Sequence, residues 1–166
     1  MAAVEWFAIG GFVASFEAVK VQAQDTEPAI EVKVRADPSQ LVILRGIAAT
    51  MASQCNFDLD EIADVRLAVD EASSLLIVRA QPDSTLQCRF LVAPGTLWVA
   101  VTANTTGADA GSRRGFGWHV LNTLVDSIDM TQVPDSDAPA GYVTTIEFTK
   151  SALDVDEQAV EGERSL

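Results

Sequence analysis

Arg114-Gly115-Phe116-Gly117-Trp118-His119-Val120-Leu121 decides much of how this chain reads: two glycines one residue apart open an apolar helical run of Phe116, Val120, Leu121, Leu124, Val125 and Ile128. Glycine has no Cβ, so backbone there can approach a ligand or a neighbouring element closely. The free N–H groups and positive dipole end of the helix that follows favour an anion such as a phosphate. A glycine pair of this kind also occurs as a plain helix entry. The flanking elements have to decide between the two.

Outward from that stretch, the pattern predicts an order β-α-α-β-β-α-β-β. Ile30, Val32 and Val34 alternate with Glu31, Lys33 and Arg35, the period of a half-buried strand. Asp37-Pro38-Ser39 breaks it, with Asp37 or Ser39 as cap, and predicts a helix over about Gln40 to Gln54. Its stripe is Leu41, Leu44, Ala48 and Met51 or Ala52. The longest helical signal runs from Asp60 to about Val78, where Ile62, Val65, Val69, Ala72 and Leu76 recur at three- and four-residue spacings. Acidic Asp60, Glu61 and Asp64 suit its positive end. Two strands, Thr85 to Val92 and Thr96 to Ala103, join through Ala93-Pro94-Gly95.

Thr105 to Arg114 reads as a loop, Phe116 to Asp129 as a helix, Met130 to Val133 as a weak strand and Tyr142 to Thr149 as the last strand. Paired helices and strand meanders predict an α+β two-layer sandwich, a mixed, mostly antiparallel sheet with helices on one face. The domain spans 29–150, after an N-terminal extension and linker (1–28) and before an acidic tail (151–166) poor in apolar residues, read as disordered.

The 166 residues suit one domain with a core of its own. Eleven Lys and Arg against 24 Asp and Glu give a formal charge of −13, which argues against direct nucleic-acid binding because phosphates need a basic patch. Cys55 and Cys88 form neither a CxxC pair nor a disulfide framework, and with His119 they are too few for a structural zinc site. Free thiols in a reducing cytoplasm fit better. Trp6 to Phe16 is apolar but short and bracketed by Glu5 and Glu17, so neither a membrane span nor a secretory signal is expected.

Glu71 sits mid-helix in Leu67-Ala68-Val69-Asp70-Glu71-Ala72-Ser73-Ser74-Leu75, among mostly small or apolar neighbours. A carboxylate held against apolar surface is raised in pKa and can serve as a general base. A solvated helical glutamate would read the same way.

The segments Val65-Arg66-Leu67-Ala68-Val69-Asp70-Glu71-Ala72 and Gly115-Phe116-Gly117-Trp118-His119-Val120-Leu121, with the hairpin between them and Val143-Thr144-Thr145-Ile146 after them, resemble RsbW-type anti-sigma factors. These are serine kinases of the histidine-kinase-like (GHKL, Bergerat-fold) ATPase superfamily, and the likeness is greatest to actinobacterial anti-sigma-F proteins of the UsfX group. It covers about residues 29 to 150. The resemblance implies that Glu71 is the catalytic acidic residue that activates the attacking hydroxyl. It places Asn104, Gly107, Gly115, Phe116, Gly117, Thr144 and Thr145 at an ATP site, with Arg45 on the surface that meets protein partners.

The match is uneven. The family's Mg²⁺-holding asparagine, four residues after the glutamate, is Leu75 here, so no metal ligand is assigned. The adenine-reading aspartate is replaced by Asn104 or Thr105, and the glycine before the closing threonines by Val143. The resemblance thus implies a cytoplasmic homodimer that sequesters an alternative sigma factor, is countered by an anti-anti-sigma antagonist, and keeps a weak or vestigial ATP site. The alternative is an active kinase that phosphorylates the antagonist with ATP and Mg²⁺.

Overall fold

The computed structural model describes residues 30–107, 115–138 and 140–153. The N-terminal extension (1–28), the 108–114 part of the predicted loop, including Arg114, and the tail from 154 onward lie outside the described residues.

Strand β1 (Ile30–Arg35) leads through a 3-10 turn (Pro38–Gln40) into helix α1 (Leu41–Ser53). Helix α2 (Leu59–Ile77) follows, then β2 (Thr85–Ala93), β3 (Thr96–Thr106), α3 (Phe116–Leu124), β4 (Ser127–Pro134) and β5 (Gly141–Ser151). The five strands form one sheet in the order β1-β2-β3-β5-β4. Every neighbouring pair is antiparallel. The result is the α+β sandwich that the pattern predicts, without a parallel pair among the described strands.

The local chemistry explains the element ends. Asp37 accepts a hydrogen bond from Ser39 N at 2.8 Å, which caps the 3-10 turn rather than α1 itself. Asp58 and Glu61 form a reciprocal capping box at the start of α2, each carboxylate accepting a backbone N–H at 2.8 Å. Pro94-Gly95 closes the β2–β3 hairpin, with Gly95 at φ +65°. A residue with a Cβ would be strained there.

One layer boundary holds the main core. Leu44, Ala48, Met51 and Ala52 from α1 and Val65, Val69, Ala72 and Leu76 from α2 are all buried. They pack with Leu86, Cys88 and Phe90 of β2, Val99 and Val101 of β3, and Ile146 and Phe148 of β5. The opposite face of the sheet carries a separate small cluster of Trp98, Ala100 and Leu91.

Two tethers fix the end of β5 to the helices. Lys150 Nζ donates to Asp64 Oδ2 and to Leu124 O, both at 3.0 Å. Glu61 Oε1, the oxygen its capping box does not use, accepts Leu153 N at 2.7 Å.

Two elements differ from the sequence pattern. The third helix stops at Leu124 rather than Asp129, because Val125 is already extended (φ −127°) and Asp126 N bonds Thr149 O at 2.9 Å. The Asp126 carboxylate also accepts Ser151 N at 2.6 Å, so the chain is laid onto β5 and the strand begins early. Ile128 and Met130 then pack on the core from β4, not from a helix. In addition, β3 runs through Thr106, two residues into the stretch that reads as loop.

Candidate functional site

Helix α2 is the centre of the site, because neighbouring residues on it point to different partners. Asp70 turns toward α1, where Arg45 Nε donates to its Oδ1 at 2.7 Å. Glu71 and Leu75, one turn apart on the same face, turn toward the start of α3. A Cβ built on Gly117 would lie 3.2 Å from Glu71 Oε2 and 3.2 Å from Leu75 Cδ2. That closeness favours glycine at 117: a Cβ there would be tight, and the Glu71 and Leu75 side chains would have to give by a few tenths of an ångström. Gly115 is the N-cap of α3 in ordinary extended backbone (φ −74°, ψ 158°) and offers no side-chain cap. The first N–H groups of α3 have no intrahelical acceptor, and the Glu71 carboxylate lies against that same first turn, where the helix dipole favours negative charge. Phe116 is 84% exposed and His119 is exposed, so the apolar side of this short helix is carried by Leu121, Leu124 and Trp118.

At the far end of the sheet, Thr105 and Thr144 face the helices and are fully buried. Their hydroxyls meet at 2.7 Å, and Gln132 Nε2 donates to Thr144 Oγ1 at 3.0 Å. Alternation along β3 and β5 puts the neighbouring residues on the other face. Asn104 Nδ2 there donates to Asp135 Oδ2 at 2.8 Å, and Thr145 Oγ1 pairs with Thr102 Oγ1 at 2.9 Å. Gly107 (φ +79°) is the turn residue that ends the described part of this edge.

Of the residues read from sequence, the structure therefore brings Glu71 and Gly117 together and puts Thr144 on the helix-bearing face. It does not bring Asn104 or Thr145 to that face. The residue beside Thr144 is Thr105, and its signal was the two-residue alternation of buried positions through Leu97, Val99, Val101 and Ala103. Gln132 carried no sequence signal, since its role depends on β4 pairing with β5 in the register Gln132↔Thr144.

The fit to a nucleotide is partial, and the fit to its metal fails. Gly117 gives the close approach of the two helices, and the Thr105 and Thr144 hydroxyls at the sheet end are engaged with each other. A hard divalent cation needs several oxygen ligands, and the side chain one turn after Glu71 is the hydrocarbon of Leu75. Among the described residues no group of three or more His, Cys, Asp or Glu side chains could hold a metal ion.

On the other side of α2, an open groove of about 400 Å³ is lined by Arg45, Ala63, Arg66, Leu67 and Asp70. The Asp70 partner holds the Arg45 guanidinium above its ordinary range, mainly through the hydrogen bond and then through the charge. Arg66 and Leu67, exposed on the same groove, are further residues of this surface that no motif singled out. Beside it, Val42 (68% exposed) and Ile43 (48%) stand on α1.

Both thiols are buried in the core, away from these two surfaces. Burial pushes Cys55 up to about 11 and Cys88 up to about 12. A thiol held protonated is a poor nucleophile. Among the described residues no helix is long and apolar enough to cross a membrane.

The histidine kinase-like ATPase domain family matches residues 34–148 of this chain. The anti-sigma-F factor RsbW of Mycobacterium tuberculosis, from each of two strains, is 33% identical over 142 residues, covering 84% of this chain and 83% of that one. The chain belongs to the RsbW-type anti-sigma factors of the histidine-kinase-like ATPase family. Among solved structures, the mycobacterial sensor histidine kinase MprB matches with a TM-score of 0.44 at 12% identity, over 74% of this chain and 100% of that one.

Proposed function

We propose that this protein is an anti-sigma regulatory factor that works by binding rather than by phosphoryl transfer. It sequesters an alternative sigma factor, and an anti-anti-sigma antagonist competes for the same surface and releases it. The observation that carries this reading is the contrast across α2: a polar groove around the 2.7 Å Arg45–Asp70 pair on one side, and Leu75 packed against Gly117 on the other. Arg45 offers a planar fork suited to partner carboxylates. Asp70 orients that fork before a partner arrives, which reduces the ordering cost of binding. Two competing partners on one surface form a mass-action switch. The protein acts as a homodimer in the cytoplasm.

The nucleotide site is degenerate. Phosphoryl transfer relies on metal and positioning more than on covalent chemistry, and Leu75 supplies no metal ligand. Thr105 contributes a hydroxyl where relatives of this family carry a carboxylate for the base, and that hydroxyl is already engaged with Thr144 at 2.7 Å. Glu71, Gly115, Phe116, Gly117, Thr144 and Gly107 remain the residues that would border a weakly bound ATP.

Co-purification of candidate sigma factors, with and without ATP, tests the binding reading. Retention of one of them in either condition supports it, and retention of none under both conditions overturns it. Transfer of labelled γ-phosphate to a purified antagonist tests the chemical half. No transfer is expected; transfer that is lost in Glu71→Ala would establish the active serine kinase with ATP and Mg²⁺ instead.

A further inference from the structure

The outward stripe of α2 departs from an ordinary solvated helix face. Ala63, Arg66, Leu67 and Asp70 follow one another at three- and four-residue spacings, so they share one face over about two turns, ~10 Å. With Arg45 of α1 they line the open groove. Ala63 and Arg66 are exposed, and Leu67 is 44% exposed. A lone exposed leucine needs no explanation. Here Val42, one turn before Arg45 on α1, continues the apolar surface beside it.

The charges in the groove do not cancel. Asp70 stands one turn beyond Arg66 on the same face, yet its Oδ1 takes the Arg45 Nε–H at 2.7 Å. Arg66 makes no ion pair among the described residues. Two guanidiniums against one carboxylate leave the groove net positive, on a chain whose formal charge is −13.

We infer, resting on the binding role proposed above, that this groove seats an acidic amphipathic helix of the protein partner. Arg66 takes a carboxylate of that helix, and Leu67 and Ala63 take an apolar side chain one helical turn away from it. Arg45 is already held by Asp70, so the uncompensated charge that meets the partner is that of Arg66. Charge complementarity sets the sign: the rest of this acidic chain repels an acidic protein, and the positive groove fixes where it lands. The apolar floor selects a helix over a phosphate-bearing ligand, to which Leu67 and Ala63 offer nothing. The two-turn run suits helix-in-groove recognition, in which anchors recur at i, i+3 and i+4. A second copy is the wrong occupant, because two-fold pairing of this face sets Arg45 and Arg66 against the same guanidiniums.

The test titrates the full chain with the sigma factor that co-purifies with it, by calorimetry at low and high salt. Arg66→Ala should weaken binding about tenfold at low salt, and the gap should shrink at high salt because exposed charges are screened. Arg66→Lys should keep most of the affinity, since the contact needs a charge more than a fork. Leu67→Gln should weaken binding about fivefold at both salts, because an apolar contact is not screened. Both positions are exposed, so melts should stay at the natural temperature and separate lost binding from lost fold. If the natural chain binds and Arg66→Ala and Leu67→Gln bind equally well, this inference is overturned and the binding role stands. A natural chain that retains no sigma factor overturns both. Unchanged affinity with a loss of dimer mass in light scattering assigns the groove to a second copy and overturns the inference. In Arg66→Glu, exchanging one partner Asp or Glu for Lys, on a helix with an apolar residue one turn away, should restore binding. Failure of every such exchange overturns the carboxylate contact.

Discussion

Asp70 and Glu71 are adjacent in sequence yet belong to different surfaces. On the Asp70 side of α2 the chemistry is polar and open, with a guanidinium held by a carboxylate beside a groove and exposed apolar residues. On the Glu71 side Gly117 lets α3 approach closely, and Leu75 stands where the proposed reading looks for a cation ligand. Geometry and chemistry have separated on that side. A close helix contact depends on shape, and a leucine satisfies shape as well as an asparagine does. Metal binding depends on oxygen atoms, and a leucine has none.

The sharpest way to break this comparison is to reverse charge on the polar side. Arg45→Glu should weaken binding of the co-purifying sigma factor by about 2 kcal/mol or more, roughly thirtyfold, as expected for an arginine anchor. The free protein should unfold nearly normally, because a half-exposed ion pair contributes little to stability. Titration calorimetry and a thermal melt read the two effects separately. Equal binding by the variant would place the partner surface elsewhere.

Placing an amide at position 75 probes the other side. Leu75→Asn puts a polar amide into a half-buried position and should cost about 1–2 kcal/mol of stability. In exchange, nucleotide binding should become dependent on Mg²⁺, which it is not expected to be in the natural chain. If both proteins respond to Mg²⁺ alike, Leu75 is not the residue that separates the two sides.

The helix contact itself sets a smaller effect. Gly117→Ala gains up to ~1 kcal/mol of helix propensity and loses about 1–3 kcal/mol to crowding, with a net loss of roughly 1 kcal/mol expected in urea unfolding. In a Leu75→Ala background the crowding is relieved and the same substitution should become neutral or stabilising. Additive behaviour of the two changes would mean that they do not touch.

The smallest effect involves neither side. Cys55 and Cys88, pushed up to about 11 and about 12 by burial, have folded pKa values above those of the unfolded chain. Their contribution is fully present below the unfolded thiol pKa, about 8.5, and declines as pH rises through that value toward the folded ones. The urea midpoint should therefore slide downward above about pH 9, and native protein at pH 8 should resist iodoacetamide at both thiols. Rapid alkylation of the folded chain would contradict the burial.

Much of the fold was legible in sequence, because the signals were local. The stripe Val65, Val69, Ala72 and Leu76 and the alternation in β3 each depend on residues a few positions apart. The end of α3 was not legible. Leu124, Val125 and Ile128 continue a helical period, and only the two bonds of Asp126 to β5, one from its backbone N–H and one to its carboxylate, turn the chain into a strand. The site divided in the same way. Glu71 and Gly117 were visible as motifs, while Thr105 against Thr144, Gln132 beside them and Asp70 under Arg45 require knowing which strand or helix lies alongside. Asn104 and Thr145 show how a one-residue difference on a strand changes the face entirely.

The tethers at the end of β5 have a mechanical consequence. Leu153 N is held by Glu61 and Lys150 by Asp64, both in the first turns of α2, and Lys150 also grips the end of α3. A pull on the chain beyond residue 153 would therefore be divided between the sheet and the base of α2, instead of peeling β5 away bond by bond. Anything that grasps the acidic tail would be pulling on the helix that carries Asp70 and Glu71.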